Sequence, residues 1–156
     1  MIVSDAGPLI VLLKTNKLSI LQELFKKIIV PTAVYQEITE KEQERVIFEE
    51  IDWIEVRDVT KEDHLLEKLI DKGEAEAIIL AKQLKTSLLV DDAKARKYAV
   101  LLDVEVIGTL GLLKMAKKRG IIPSVKDVIN DMLVEGYYIE EKLIALILKD
   151  VDEFSN

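Results

Sequence analysis

The sequence predicts an α/β protein with a short parallel sheet of about five strands, covered by helices on both faces and followed by C-terminal helices. Five short apolar segments alternate with longer segments of helical periodicity up to residue 107. After residue 107 only helical periodicity is present. We therefore predict a single domain over 1–156, with an α/β core at 1–107 and a helical extension at 108–156.

The candidate strands are rich in Ile, Leu and Val on both alternating faces, which is typical of strands buried in a parallel sheet. Each is too short to be read as a helix. In chain order they are "MIVSD" at 1–5, "IIVP" at 28–31, "WIEVRDV" at 53–59, "SLLV" at 87–90 and "VEVIG" at 104–108.

The helices are predicted from apolar spacing and from Pro and Gly at their ends. Pro8 suits the first turn of a helix that runs to Lys14, and Pro31 opens a helix with Val34 and Ile38 on one face. Gly73 is expected to end a helix that covers 61–72. The helix that Pro31 opens either continues or restarts through 40–51, and the remaining predicted helices cover 19–27, 74–85, 93–102, 110–120, 125–136 and 139–154.

Composition limits the classes of function. The chain has 156 residues, 49% of them hydrophobic, so it can bury a substantial core. There is no cysteine, no apolar run long enough for a membrane span and no positively charged start, so we expect a cytoplasmic protein. A net charge of −7 argues against a general nucleic-acid binder, unless several acids share one pocket and a metal ion neutralises them.

Acidic residues follow two of the predicted strands. Asp5 ends the first strand, and Asp91 and Asp92 follow the fourth. In an open parallel sheet, sites form outside the carboxyl ends of the strands, at the point where the strand order reverses. If the first and fourth strands are neighbours, these three carboxylates converge.

Two further acids border buried helix faces. Glu74 lies on the same face as the apolar Ala77, Ile78 and Ala81, and Glu37 lies beside Ile38. Each acid also has a structural alternative: a helix cap, a favourable place near a helix N-terminus, or a surface ion pair. Their shared position at one edge of the sheet favours a joint site.

Carboxylate oxygens suit hard cations such as Mg²⁺ or Mn²⁺. The single histidine, His64, lies in an acidic segment and is expected to be solvated, which argues against zinc. Neither a phosphate-binding P-loop nor a dinucleotide-binding glycine motif is present. Mg²⁺ held by carboxylates typically acts on phosphates, so phosphodiester hydrolysis is the remaining reaction class.

Four segments together resemble the PIN domain, a family of Mg²⁺- or Mn²⁺-dependent nucleases that includes the VapC toxins. They are "IVSDAGPLI", "VPTAVYQEI", "GEAEAIILA" and "LLVDDAKAR", which carry Asp5, Glu37, Glu74 and Asp92. The sequence departs from the family pattern at Val90, where Thr or Ser is expected, and it offers Asp91 as a rival to Asp92. The segment after residue 107 is similar to a prokaryotic subgroup with extra C-terminal helices.

The resemblance implies a three-layer α/β/α fold and a metal-dependent endoribonuclease that leaves a 3′-hydroxyl and a 5′-phosphate. Asp5, Glu37, Glu74 and Asp92 would be catalytic. The metal would be held among Asp5, Glu74, Asp91 and Asp92, with Asp91 either a ligand, an outer neighbour or a helix cap. Lys94, Arg96 and Lys97 follow the site directly and could contact the phosphates of single-stranded or structured RNA.

The resemblance also implies partners. A VapC-like toxin would have a small antitoxin protein, and PIN proteins commonly form homodimers. The last predicted helix has an apolar face that either forms the dimer contact or seals its own subunit; its residues are Ile139, Leu143, Leu146, Ile147 and Val151. An alternative function is a degenerate PIN module that binds RNA or a protein without cleavage. A haloacid-dehalogenase-type phosphatase is disfavoured because Gly7 stands where that class has its second Asp.

Overall fold

A computed structural model describes residues 1–59 and 65–153. Within these ranges the strands form one parallel five-stranded sheet in the order β3-β2-β1-β4-β5. Helices cover both of its faces, which confirms the predicted α/β/α class. The strands are β1 (Ile2–Ser4), β2 (Ile28–Pro31), β3 (Ile54–Arg57), β4 (Leu88–Leu89) and β5 (Val106–Ile107).

The strand order reverses between β1 and β4, which are neighbours although they are far apart in sequence. Val3 pairs with Leu88 and Ser4 with Leu89. The amide of Asp5 then donates to the carbonyl of Leu89 at 2.9 Å, so hydrogen bonding between the strands continues to the first acid. This is the switch point at which open α/β sheets bind ligands.

The helices follow the predicted order, and most begin or end within two residues of the predicted bounds. The helix that opens after Pro31 ends at Ile38 and a new helix begins at Glu42, so of the two predicted alternatives the chain restarts a helix there. The described helices are α1 (Ala6–Lys14), α2 (Ser19–Phe25), α3 (Thr32–Ile38), α4 (Glu42–Glu49), α5 (Lys72–Leu84), α6 (Ala93–Leu101), α7 (Thr109–Lys118), α8 (Val125–Val134) and α9 (Glu141–Asp150).

The prediction around Gly73 is wrong. Gly73 does not end a helix but lies in the first turn of α5. The start of α5 is set by a capping box, in which Asp71 accepts from the Glu74 amide at 2.8 Å and Glu74 accepts from the Asp71 amide at 3.4 Å. Of the helix predicted over 61–72, the described part contains only a 3₁₀ turn at Leu66–Lys68, and the predictions for 61–64, including His64, lie outside the described residues.

The core lies on both faces of the sheet. Small buried side chains on α5, Ala75, Ala77 and Ala81, allow that helix to approach β1 and β2 closely. The three C-terminal helices pack against one another, and α9 buries Ile147 and Leu148. The longest described helix has 13 residues, so none of the described helices could span a bilayer.

Candidate active site

Five carboxylates gather at the carboxyl edge of the sheet, beside the switch point. We call them the acid cluster: Asp5, Glu37, Asp71, Glu74 and Asp92. They come from the end of β1, from α3, from the start of α5 and from the start of α6. Four distant segments of the chain therefore contribute to one site.

Asp5 forms the floor of the acid cluster. It is 8% exposed and is the residue before α1, which begins at Ala6. Burial, followed by the negative charges of Asp71, Glu37 and Asp92, raises the pKa of Asp5 to about 7, although the Ala6 amide lowers it. A carboxyl group with such a pKa exchanges a proton near neutral pH and gains from a nearby cation.

Glu74 is the second strongly perturbed acid. Burial and the charges of Asp71, Asp92 and Asp5 raise the pKa of Glu74 to about 7. The capping box holds its side chain back toward the Asp71 amide. The same residue therefore caps α5 and belongs to the acid cluster.

Glu37 lies at the exposed rim of the cluster. Partial burial raises its pKa, with further contributions from Asp71 and Glu40. Its position depends on the packing of α3 against α5: a Cβ atom at Gly73 would lie 3.6 Å from Val34 Cγ2 and 3.8 Å from Glu37 Oε1. These are ordinary contact distances, so Glu37 lies directly beside the start of α5.

The adjacent acids after β4 have different surroundings. Asp91 accepts from the Thr109 amide at 2.7 Å and from the Thr109 hydroxyl at 2.6 Å. It therefore caps the start of α7 although it lies 18 residues earlier in the sequence. Asp92 caps α6 by accepting from the Ala95 amide at 2.9 Å. Its charge also raises the pKa of Asp5 and Glu74. The structure thus brings Asp92, rather than Asp91, to the acid cluster.

The donor set fits a hard divalent cation, because every candidate ligand atom is a carboxylate oxygen. No group of three such side chains is already arranged to hold a metal ion within residues 1–59 and 65–153. Glu74 and Asp92 each direct one oxygen to a backbone amide.

The basic residues near the site fall into two groups. Lys94, Arg96 and Lys97 are exposed on α6, directly after Asp92. Two lysines of α7 are engaged elsewhere: Lys114 pairs with Asp150 at 2.9 Å, and Lys117 pairs with Glu153 at 3.2 Å. The first group is therefore the better placed for a substrate phosphate.

Sequence reasoning missed Asp71 and gave Glu76 no role in the site. Asp71 precedes Glu74 by three residues, and this D-x-x-E spacing is a capping-box signal that identifies both the helix start and the extra carboxylate. Glu76 is 3% exposed and accepts from the Ala33 amide in the first turn of α3 at 3.4 Å. Glu76 thereby connects the helix that carries Glu74 to the helix that carries Glu37.

The fold and the acid cluster define a parallel α/β protein with a carboxylate site at the switch point. The sequence matches a family model described as PIN domain over residues 1–153. The chain therefore belongs to the PIN domain family and has a nuclease-type fold. No curated protein matches the sequence.

Proposed function

We propose that the protein is a metal-dependent endoribonuclease that hydrolyses RNA phosphodiester bonds. The observation that carries this proposal is the convergence of five carboxylates, two of them with pKa values raised to about 7, at the switch point of a PIN fold. Neighbouring like charges destabilise the free protein, and a divalent cation would relieve that repulsion.

Asp5, Glu74 and Asp92 would hold Mg²⁺ or Mn²⁺, with Glu37 and Asp71 at the rim. When bound, the cation would supply activation of water and neutralisation of charge on the phosphate. Glu37 is exposed and has a raised pKa, so a carboxylate oxygen of Glu37 could accept the proton that the attacking water releases. Asp91 would maintain the connection between β4 and α7 through Thr109.

The test is cleavage of a single-stranded RNA in Mg²⁺ or Mn²⁺, with chelator as the control. We expect wild-type protein to release fragments with 5′-phosphates and Asp5→Asn to lose at least about a thousandfold in kcat/KM, because several kcal/mol of charge stabilisation is removed. Asp91→Asn is the matched control variant. It alters a neighbouring carboxylate that caps a helix and does not belong to the acid cluster, so its cleavage activity should be retained. Equal activity in wild type and Asp5→Asn would contradict the proposal.

The degenerate-module alternative rests on the Val90 departure. Val90 is 1% exposed, so in this chain position 90 contributes to the core and presents no surface ligand. Loss of a hydroxyl there leaves the acid cluster complete. The alternative predicts RNA binding without any metal-dependent fragments, so the cleavage assay separates the two functions.

We further propose that the nuclease is the toxin of a toxin–antitoxin pair, which extends the resemblance to VapC proteins. The expected genetic context is a small open reading frame immediately upstream. Its purified product should bind this protein and suppress RNA cleavage at equimolar concentration. The absence of such a neighbouring gene, or a product that leaves cleavage unchanged, would contradict the toxin role.

A homodimer remains our prediction for the assembly. Much of the apolar face of α9 seals its own subunit, because Ile147 and Val151 are buried, but Leu146 is 60% exposed. Leu146→Asp should therefore dissociate a dimer and preserve the fold, whereas Ile147→Asp would disrupt the core. Light scattering at micromolar concentration measures both forms, and a monomeric wild type would contradict the prediction.

A further inference from the structure

A groove of about 760 Å³ opens next to the acid cluster, between α1, the start of α7 and the connection from α8 to α9. Gly7, on its wall, is two residues from Asp5, and Asp91 is adjacent to Asp92. We call it the glycine groove, because three of its lining residues are Gly7, Gly108 and Gly111. Its volume is in the range of roughly 300–1,000 Å³ that is common for ligand sites.

Packing does not explain two of these glycines. A Cβ atom on Gly7 would meet nothing within 4 Å, and one on Gly111 would meet only Ile107 Cγ2 at 3.8 Å, an ordinary contact. Both residues lie in helices without a positive φ, and glycine is a poorer helix former than alanine. The physical effect of both glycines is to leave the wall of the groove open.

The third glycine accommodates a cation. A Cβ atom on Gly108 would lie 2.7 Å from Nη1 of Arg96, so the guanidinium rests directly against this backbone. Asp91 is close, but both of its oxygens accept hydrogen bonds from Thr109. Among the described residues the Arg96 guanidinium has no ion pair or hydrogen bond. It is therefore available to an anionic ligand in the groove.

Another part of the wall is aromatic and apolar. Tyr138 is 89% exposed, and Tyr137 and Leu143 also line the groove. Exposed tyrosine rings provide stacking surfaces for unpaired nucleobases, and an arginine at the same site binds a phosphate or stacks on a base. The combination of flat apolar walls and one available guanidinium matches a nucleotide of a single strand more closely than it matches an uncharged ligand.

We propose that the glycine groove binds the nucleotide that adjoins the scissile phosphate of a single-stranded RNA, with its base among Tyr137, Tyr138 and the glycines and its phosphate on Arg96. This inference rests on the proposed ribonuclease function, since it uses the acid cluster as the neighbouring reaction site. The groove gives the strand a fixed position along the edge of the sheet. It also provides an affinity for RNA that does not depend on net positive charge.

The first experiment blocks the groove from two sides. Gly7→Phe and Gly111→Phe place a ring in the open space, and fluorescence anisotropy measures the Kd for a labelled single-stranded RNA of about eight nucleotides. The measurement is made in chelator and again in Ca²⁺. We expect each variant to raise the Kd about tenfold, which corresponds to the loss of one stacked base. Gln22→Phe, an exposed position on α2 away from the groove, should leave the Kd unchanged.

The second experiment tests the cation. Arg96→Gln should raise the Kd and reduce the slope of log Kd against log salt concentration by about one phosphate contact, whereas Arg96→Lys should retain that slope. Replacing one nucleotide of the RNA by an abasic unit should weaken binding to wild type and have little further effect in Gly7→Phe. The rise in melting temperature with Mg²⁺ should persist in Gly7→Phe, which would show that the acid cluster is intact.

The results separate this proposal from the proposed function. If wild type shows metal-dependent cleavage and both glycine variants have an unchanged Kd, the proposed RNA-binding groove is wrong and the proposed nuclease function is retained. If those variants lose RNA binding but wild type does not cleave RNA, the result supports RNA binding in the groove and contradicts the proposed nuclease function. Dissociation of a dimer by Gly7→Phe at unchanged Kd would make the groove an interface between copies, and absence of RNA binding in both buffers would overturn the proposal.

Discussion

Carboxylates in two regions of this molecule have opposite electrostatic environments. In the acid cluster, burial and neighbouring negative charges raise the pKa values of Asp5 and Glu74 to about 7. At the C-terminal end, burial opposes ionisation of Glu153, but its hydrogen-bond donors lower the pKa to about 2; they are the amides of Lys126 and Val125, the Ser124 hydroxyl and the Lys117 ammonium. The negative charge of the carboxylate is compensated by hydrogen-bond donors at Glu153 and is uncompensated in the acid cluster.

The difference indicates what each region is for. Glu153 satisfies the first amides of α8 and ties the chain after α9 to that helix, so its charge stabilises the fold. The acid cluster destabilises the free protein, since no basic partner of Asp5 is seen in the described part of the chain. A site that is costly without a ligand is the expected condition of a cation site.

Asp5→Asn should produce the largest change in stability. Removing the buried charge should increase the free energy of unfolding of metal-free protein at pH 8 by roughly 2–4 kcal/mol, since a pKa shift of one unit corresponds to about 1.4 kcal/mol. The melting temperature should rise by about 5 °C or more. Thermal unfolding in chelator measures this, and a variant less stable than wild type would show that Asp5 is compensated after all.

Glu153→Gln should have the opposite effect. The substitution removes the charge from four hydrogen bonds, so we expect a loss of about 1.5–3 kcal/mol in the free energy of unfolding. RNA cleavage per folded molecule should stay at the wild-type value, because the partners of Glu153 lie at the start of α8 and on α7 and not in the acid cluster. Denaturant unfolding and kcat measured on the same preparation would reveal any coupling between the two regions.

Added Mg²⁺ or Mn²⁺ should stabilise wild type by about 1.4 kcal/mol when its concentration is ten times the Kd. The corresponding rise in melting temperature is about 3–6 °C. The rise should be lost in Asp5→Asn and retained in Glu153→Gln. If the melting temperature of wild type does not change at millimolar metal, the predicted cation site is wrong.

The two regions should also respond oppositely to pH. Because the folded pKa values of Asp5 and Glu74 are raised, their contribution to stability is fully present below about pH 4 and is lost as the pH rises through about 7. The contribution of Glu153 is present above about pH 4.5 and is lost as the pH falls through about 2. Protons compete with the metal, so metal affinity should increase as the pH rises through 7.

Melting curves from pH 5 to pH 8 would check this opposition. In chelator, wild type should lose stability relative to Asp5→Asn as the pH rises across this range. With Mg²⁺ present, the difference in melting temperature between wild type and Asp5→Asn should become smaller toward pH 8. Parallel curves for the two proteins would mean that Asp5 does not titrate near neutral pH.

The smallest expected effect distinguishes the two adjacent aspartates. Asp91→Asn weakens the cap on α7 and should lower the free energy of unfolding by about 1 kcal/mol, with the metal response retained. Asp92→Asn keeps a capping side chain on α6 but removes one charge of the acid cluster, so the metal response should fall. Loss of the response in Asp91→Asn instead would identify Asp91 as the ligand.

The sequence by itself determined the order and type of the elements and the positions of four cluster acids. The signals used were local: apolar periodicity, Pro8, Pro31 and the short Ile- and Val-rich runs. Such patterns can be interpreted without knowledge of the fold. The resemblance to PIN motifs placed Asp5, Glu37, Glu74 and Asp92 at one site. The end of the helix before Gly73 was predicted wrongly, because the Asp71–Glu74 capping box was not recognised.

Only the tertiary structure decided which groups face each other. The pairing of β1 with β4 brings Asp92 to Asp5, while Thr109, which is 18 residues away, accounts for both oxygens of Asp91. Likewise, the charge of Glu153 is compensated by donors that are 27 to 29 residues earlier and by Lys117. A carboxylate's pKa depends on its burial and on charges and donors within a few ångströms, and the strand order and helix packing bring these together across the chain.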